Sequence, residues 1–276
     1  MSGGELARKQ ARALGLDGGK PIRSPADAER FLSRVGIALR YGPARGLPLA
    51  SLYLAFAGPE ADKPALTRAI ELTNGLLGDV HAIEVHVIAE RVALVHRALM
   101  PSLYALVRRG RSPDEGSGLG VGARAALILL EEQGEVTAGE VRRRLGARFD
   151  ARHDPAYEAL AELTRRLLVD RGPFRIPRSG IPYLSREGYP YHFFHEAHPD
   201  LTRAAARLSP TAAACEFLGA YLRAAVFAPV GKLATLFKVF LSPAEIDAAL
   251  QRLVREGRVE IRGAGRATLA VSASEA

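Results

Sequence analysis

SPTAAACEFLGAYLRAAVFAPVGKLATLFKVFLSPAEIDAALQRLVREGRVEIRGAGRATLAV, residues 209–271, decides the fold. Ser209 and Pro210 supply a capping residue and a proline at the first helical position, and Phe217, Leu218, Tyr221 and Leu222 then share one helix face. Pro229 opens a shorter helix through Leu233 and Phe237. Ser242, Pro243 and Glu245 form a capping box that starts a third helix, which carries Ile246, Leu250 and Leu253 and stops at Gly257. RVEIR and RATLAV alternate with period two around Gly263-Ala264-Gly265, as the strands of a β-hairpin do. Three helices followed by a hairpin predict a winged helix.

The same order occurs once before it. Ala123 to Gln133 reads as an apolar-rich helix, Thr137 and Glu140 as the capping box of a short second helix ending at Gly146, and Asp154-Pro155 as the start of a third. In that third helix Tyr157, Leu160, Ala161, Thr164, Leu167 and Leu168 recur at helical spacing. Repetition of one small module is stronger evidence than either copy alone. Residues 110–122, GRSPDEGSGLGVG, have no apolar period and read as a linker; with no strand before them and no Gly-Lys-Ser/Thr ending, their glycines do not form a phosphate loop.

The first third reads as short helices. Ser24, Pro25 and Asp27 start one that Phe31, Leu32, Val35 and Leu39 carry to about residue 40. Pro48 opens another with Leu49, Leu52, Tyr53 and Phe56, stopped by Gly58; Leu66, Ile70, Leu72 and Leu76 support a third, and Leu99 to Val107 a fourth. Residues 80–95 mix both periods and fit strand or helix. The expected fold is mainly α, built from tandem winged-helix modules: a helical, winged-helix-like region over 1–110, the linker over 111–122, and winged helices over 123–195 and 196–276.

Composition narrows the function. The chain has 276 residues and a net charge of +8, with 33 Arg and 5 Lys against 30 acids. Planar guanidinium forks suit phosphate, so an acidic partner is expected. Cys215 is the only cysteine, which excludes an internal disulfide and multi-cysteine zinc or iron-sulfur sites. No stretch has the ~20 apolar residues of a membrane helix, nor does the N-terminus have a signal-peptide apolar region. The expectation is a cytoplasmic, soluble protein, nucleoid-associated in a bacterium, with no membrane partner and no cofactor.

The chain resembles the winged-helix DNA glycosylases of the AlkZ/YcaQ type. ARKQARALGLDG, RFLSRVGIALRYGPARGLPLASLY, LMPSLYAL, ARAALILLEEQGEVTAGEVRRRLG and KLATLFK with SPAEIDAALQRLVREGRV carry the resemblance as a distributed pattern. It implies stacked winged helices around a DNA channel, whose active members excise alkylated bases or unhook interstrand crosslinks. It also implies a Gln-x-Asp or Gln-x-Gln triplet after a Val-Gly pair, to position the hydrolytic water. Here Val35-Gly36 leads instead to Leu39-Arg40-Tyr41, and neither triplet occurs anywhere in the chain. Leu39 makes no hydrogen bond, and Tyr41, with a reference pKa of ~10, is a poor base near neutrality. The usual chemistry is therefore expected to be missing.

Candidate DNA contacts follow. Arg142, Arg143 and Arg144 lie on a helix that crosses the backbone in a helix-turn-helix, with Arg148 and Arg152 just after. Against them stands the ordinary reading of a charged run as a solvated face. Arg171, Arg175, Arg178 and Arg186 sit on the middle wing, Arg252 and Arg255 on the last helix, and Arg258, Arg262 and Arg266 on the last wing. Arg40, Tyr41 and Arg45 lie at the implied reaction centre, where an aromatic ring beside guanidiniums stacks on an unpaired or flipped base. Glu84, His81, His86 and His96 are candidates for a substitute base, which would make the chain an active glycosylase. His192, His195 and His198 with Glu196 imitate a metal site, although the Tyr, Phe and Pro around them read as a packed connector. The expected partner is double-stranded DNA, damaged or intact, bound by a monomer. A dimeric transcriptional regulator is an alternative, weakened by two modules in one chain without a dimerisation helix, and a protein scaffold is another.

Overall fold

In the computed structural model, which describes residues 3–44, 46–111, 116–150, 152–171, 187–265 and 268–273, helices dominate and the described strands gather into three small sheets. The N-terminal part runs α1 (Gly3–Ala13), α2 (Pro25–Val35), β1 (Ile37–Leu39), β2 (Ala50–Ser51), α3 (Leu52–Ala57), α4 (Lys63–Gly78), β3 (Ala82–Ile88), β4 (Arg91–His96) and α5 (Met100–Arg108). Its sheet has the order β2-β1-β4-β3, with only the β1–β2 pair parallel.

Ser24 caps α2 as the sequence predicts, accepting from the Asp27 N–H. The helix stops at Val35 rather than near 40, because Gly36 turns into the positive-φ region at 68° and donates to the Leu32 carbonyl. A side chain at Gly36 would meet Leu99 Cδ1 at 2.6 Å. Leu39, with the period of a helix, is thus a strand residue paired with Ala93. The next helix begins at Leu52 rather than Pro48: Ser51, the last residue of β2, caps it by accepting from the Leu54 N–H. The ambiguous stretch 80–95 is a hairpin, turned at Ala89 and Glu90, which both take positive φ.

The middle part comprises α6 (Val121–Gln133), β5 (Val136–Thr137), α7 (Ala138–Arg144), α8 (Pro155–Arg165), β6 (Val169–Asp170), β7 (Pro190–Phe193), α9 (Phe194–Ala197) and α10 (Pro199–Ala205). Thr137 and Glu140 close their capping box at the start of α7. The last part comprises α11 (Pro210–Ala225), β8 (Phe227–Pro229), α12 (Val230–Phe237), α13 (Pro243–Arg255), β9 (Val259–Arg262) and β10 (Leu269–Ser272). Both parts fold three helices against a three-stranded sheet, ordered β5-β7-β6 and β8-β10-β9.

Their cores differ. The middle helices close on themselves around Leu127, Leu130, Leu160 and Leu163. The last part shares one core with the N-terminal sheet: Phe217, Phe237 and Leu253 pack in the same cluster as Ile37, Leu39, Val95 and Leu103. Tyr221 donates from its buried hydroxyl to the Pro48 carbonyl at 2.8 Å, and Ala89 N–H donates to Leu236 O at 2.8 Å. α1 also docks there, where the Gln10 amide donates to the Ala225 carbonyl at 2.8 Å. Residues 116–120 lie against α8: Arg166 donates to the Ser117 and Gly118 carbonyls, each at 2.6 Å.

Candidate nucleic-acid interface

The end of β1 and the two residues after it meet three environments. Leu39 is 2 % exposed and belongs to the shared core. Arg40, 6 % exposed, is held by Glu84 of β3 and approaches the Asn74 amide oxygen of α4 at 3.5 Å. Tyr41, by contrast, is 50 % exposed. Its ring meets Tyr53 of α3 edge-on at 5.3 Å, and the Arg40 guanidinium lies 5.6 Å from its centre.

Glu84 receives a second guanidinium. Arg171, which follows β6, contacts Oε1 while Arg40 contacts Oε2. Arg171 also lies 5.3 Å from the Tyr189 ring, and its burial pushes its pKa down. The His86 Nε2 sits 3.6 Å from Glu84 Oε1. Burial first, then the Arg165 and Arg40 charges, drives the His86 imidazole down to about 4, so it is neutral at physiological pH. Both oxygens of Glu84 are thus engaged by guanidiniums, and its neighbouring histidine is a weak base. Beside this cluster, His198 Nε2 and Asp170 Oδ2 share a hydrogen bond of 2.8 Å.

The predicted phosphate contacts divide by burial. Arg40 and Arg142 are interior, each paired with a carboxylate. Arg142 is 6 % exposed and clamps Asp154, the N-cap of α8, through Nε at 3.1 Å and a terminal nitrogen at 2.6 Å. Desolvating a guanidinium demands such a partner, and that need overrides the pattern of a basic run. Arg143 and Arg144 stay on the surface, against Glu187 at 2.8 Å and Glu132 at 3.5 Å; Arg148 and Arg152 are exposed. On the last part Arg252 meets Glu256 at 2.8 Å and Arg262 meets Glu260 at 2.9 Å, while Arg255 is exposed. Arg45, Arg175, Arg178, Arg186 and Arg266 lie outside the described residues.

The three histidines do not share a helix. His192 lies on β7 near Glu135 at 3.8 Å, His195 on α9 near Glu196 at 4.0 Å, and His198 pairs with Asp170. Among the described residues no three His, Cys, Asp or Glu side chains gather as metal ligands.

A family profile described as DNA glycosylase AlkZ-like matches residues 57–276. The chain belongs to the AlkZ-like DNA glycosylase family. The Streptomyces sahachiroi DNA glycosylase AlkZ has a similar fold: at 13 % identity and a TM-score of 0.57, the match covers 99 % of this chain and 70 % of that one. The DIP2311 protein from Corynebacterium diphtheriae matches at 17 % identity over 98 % of this chain and 54 % of its own, with a TM-score of 0.22, too low to carry an argument. No curated protein matches. In this AlkZ-like chain Leu39, Arg40 and Tyr41 precede the matched segment.

Sequence reasoning missed the partnership of Asn74, Tyr53 and Tyr189 with this centre, which spans four elements and leaves no local spacing. One signal was present. In AIEVHVI, residues 82–88, the period of two places Glu84 and His86 on one face once the stretch is read as a strand.

Proposed function

We propose that this AlkZ-like chain binds double-stranded DNA, damaged or distorted, through tandem winged-helix units, and that it lacks the family's base-excision chemistry. Residues 123–195 and 196–276 are read as the two complete units, with the hairpins that end in β7 and β10 as their wings. The exposed Arg143, Arg144, Arg148 and Arg152 supply phosphate contacts on one unit, and Arg252, Arg255 and Arg262 on the other.

The observation that carries the reading is how the centre is filled. Hydrolysing a glycosidic bond needs a group that orients and deprotonates water within hydrogen-bond reach of the sugar. Leu39 is sealed in apolar core, the Arg40 guanidinium offers donors and no acceptor, and the carboxylate that pairs with it, Glu84, is held on both oxygens. What the centre offers instead is Tyr41, an exposed ring on a cationic base, suited to stacking on an unpaired nucleobase. The competing reading, a glycosylase with His86 or Glu84 as substitute base, is disfavoured because His86 is a weak base and Glu84 is already saturated.

Two assays on the purified chain test this. Titration of labelled duplex should show affinity falling steeply with salt as counterions are released, and salt-independent affinity overturns DNA binding. Incubation of alkylated or crosslinked duplex followed by alkaline cleavage should yield no more abasic sites than a protein-free control. An excess of strand breaks restores the glycosylase.

A further inference from the structure

α3 faces two ways. Tyr53 supports Tyr41 on one side, while Leu54 and Ala55 border a hollow with Arg12, Gly18, Lys20 and Phe31. That hollow joins an open groove of about 1240 Å³ along α2, in which Pro21, Ile22 and Phe31 form an apolar floor and Lys20, Arg23, Arg30 and Arg34 stand around it. Its charge is unevenly compensated. Arg30 is paired with Asp27, and Glu29 faces His81 at 3.3 Å. Lys20, Arg23 and Arg34 have no carboxylate within ion-pair distance among the described residues. Arg34 donates to the Ala13 carbonyl and lies 5.3 Å from the Phe31 ring centre, which holds its guanidinium at the groove.

Three exposed cations without a carboxylate partner among the described residues, along one groove, attract a polyanion. Two features favour a nucleic-acid strand over an acidic peptide. Arginine forks match phosphate oxygens in pairs, and α3 carries both the edge of the hollow, Leu54 and Ala55, and the Tyr53 ring that packs on Tyr41. We propose that this groove binds the phosphate backbone of a DNA strand flanking the nucleotide at Tyr41, with Lys20, Arg23 and Arg34 as its phosphate contacts. The proposal rests on the DNA-binding reading above and extends its footprint to a surface outside both winged-helix units.

Labelled duplex is titrated by anisotropy between 50 and 200 mM salt with the wild-type chain, with Lys20→Gln/Arg23→Gln, and with the triple variant that adds Arg34→Gln. Each contact contributes about 0.9 to the log–log salt slope, so the slope falls by about 2 in the double variant and about 3 in the triple. The affinity ratio of wild type to triple variant then shrinks about 40-fold across that salt range. The double variant alters only an exposed loop, so it remains informative if Arg34→Gln loosens α1. Wild-type binding with an unchanged slope in the double variant overturns the proposal while leaving the DNA-binding reading intact. Polyglutamate binding that both variants lose, without any change in the DNA slope, assigns the groove to an acidic protein and overturns it too. A wild-type chain that binds no duplex overturns the DNA-binding reading itself, and this groove with it.

Discussion

Leu39 and Tyr41 are separated by one residue yet face opposite demands. Leu39 fills apolar core at 2 % exposure, and replacing it with glutamine buries an amide among apolar side chains. Leu39→Gln should cost about 2–4 kcal/mol in urea unfolding, from lost packing and an unsatisfied polar group, and should produce no abasic sites in alkylated duplex. Recovery of excision by Leu39→Gln, alone or with Tyr41→Asp, would show that the pocket is retained. Tyr41 tells the converse story. Half exposed and held edge-on by Tyr53, it can be truncated at a stability cost below about 1 kcal/mol, whereas loss of a stacked base typically costs about 1–3 kcal/mol. Tyr41→Ala should therefore weaken binding to duplex containing an unpaired nucleotide roughly 5- to 150-fold and leave the melting temperature nearly unchanged. Equal binding by the variant removes Tyr41 from the interface.

Helix caps illustrate what is legible locally and what is not. Ser24, Thr137 with Glu140, and Ser242 with Glu245 form in the structure as their spacing predicts, because a cap involves residues only three apart. The hairpin of β3 and β4 was ambiguous because its strands are buried on both faces, which erases the period of two. The fates of Arg40 and Arg142 were illegible for another reason: their partners Glu84 and Asp154 lie 44 and 12 residues away. Glu245 does both jobs, capping α13 locally and pairing with Arg109 beyond α5 at 2.5 Å. Burial raises its pKa, but the Ser242 N–H, the Arg109 guanidinium and the Ser242 hydroxyl outweigh that and hold it at about 2. Its unfolded value lies near 4.5, so its ionised contacts stabilise the fold fully above about pH 4.5, and that contribution disappears as pH falls towards 2. Glu245→Gln should lower stability at pH 7 by about 1 kcal/mol and flatten the loss between pH 4.5 and 2. Parallel pH profiles for the two proteins would deny the carboxylate this role.

At the scale of the molecule, the hydrophobic clusters divide the chain in a way that sequence order does not suggest, with α2, α3 and α4 packing a further one around Phe31, Leu32 and Phe56. The last part shares its core with β1, β3, β4 and α5 from the opposite end of the chain, while the middle part closes its own. Adjacent residues at the boundary feed different cores: Leu167 and Phe194 belong to the shared one, Leu168 and Phe193 to the middle one. The middle core's separation from the shared one predicts separate cooperative units, so calorimetry should resolve more than one component rather than a single two-state transition. Leu163, fully buried in the middle core, and Phe237, fully buried in the shared core, are the probes. Leu163→Ala should destabilise one component by about 2–5 kcal/mol, and Phe237→Ala should destabilise another by about 3–5 kcal/mol. Phe194 stacks on Tyr104 of α5 at 5.0 Å and leads directly from β7, so Phe194→Ala should lower both. A single transition that all three variants shift alike would mean that the Arg171–Glu84–Arg40 cluster and the packing of α8 on β3 couple the cores fully.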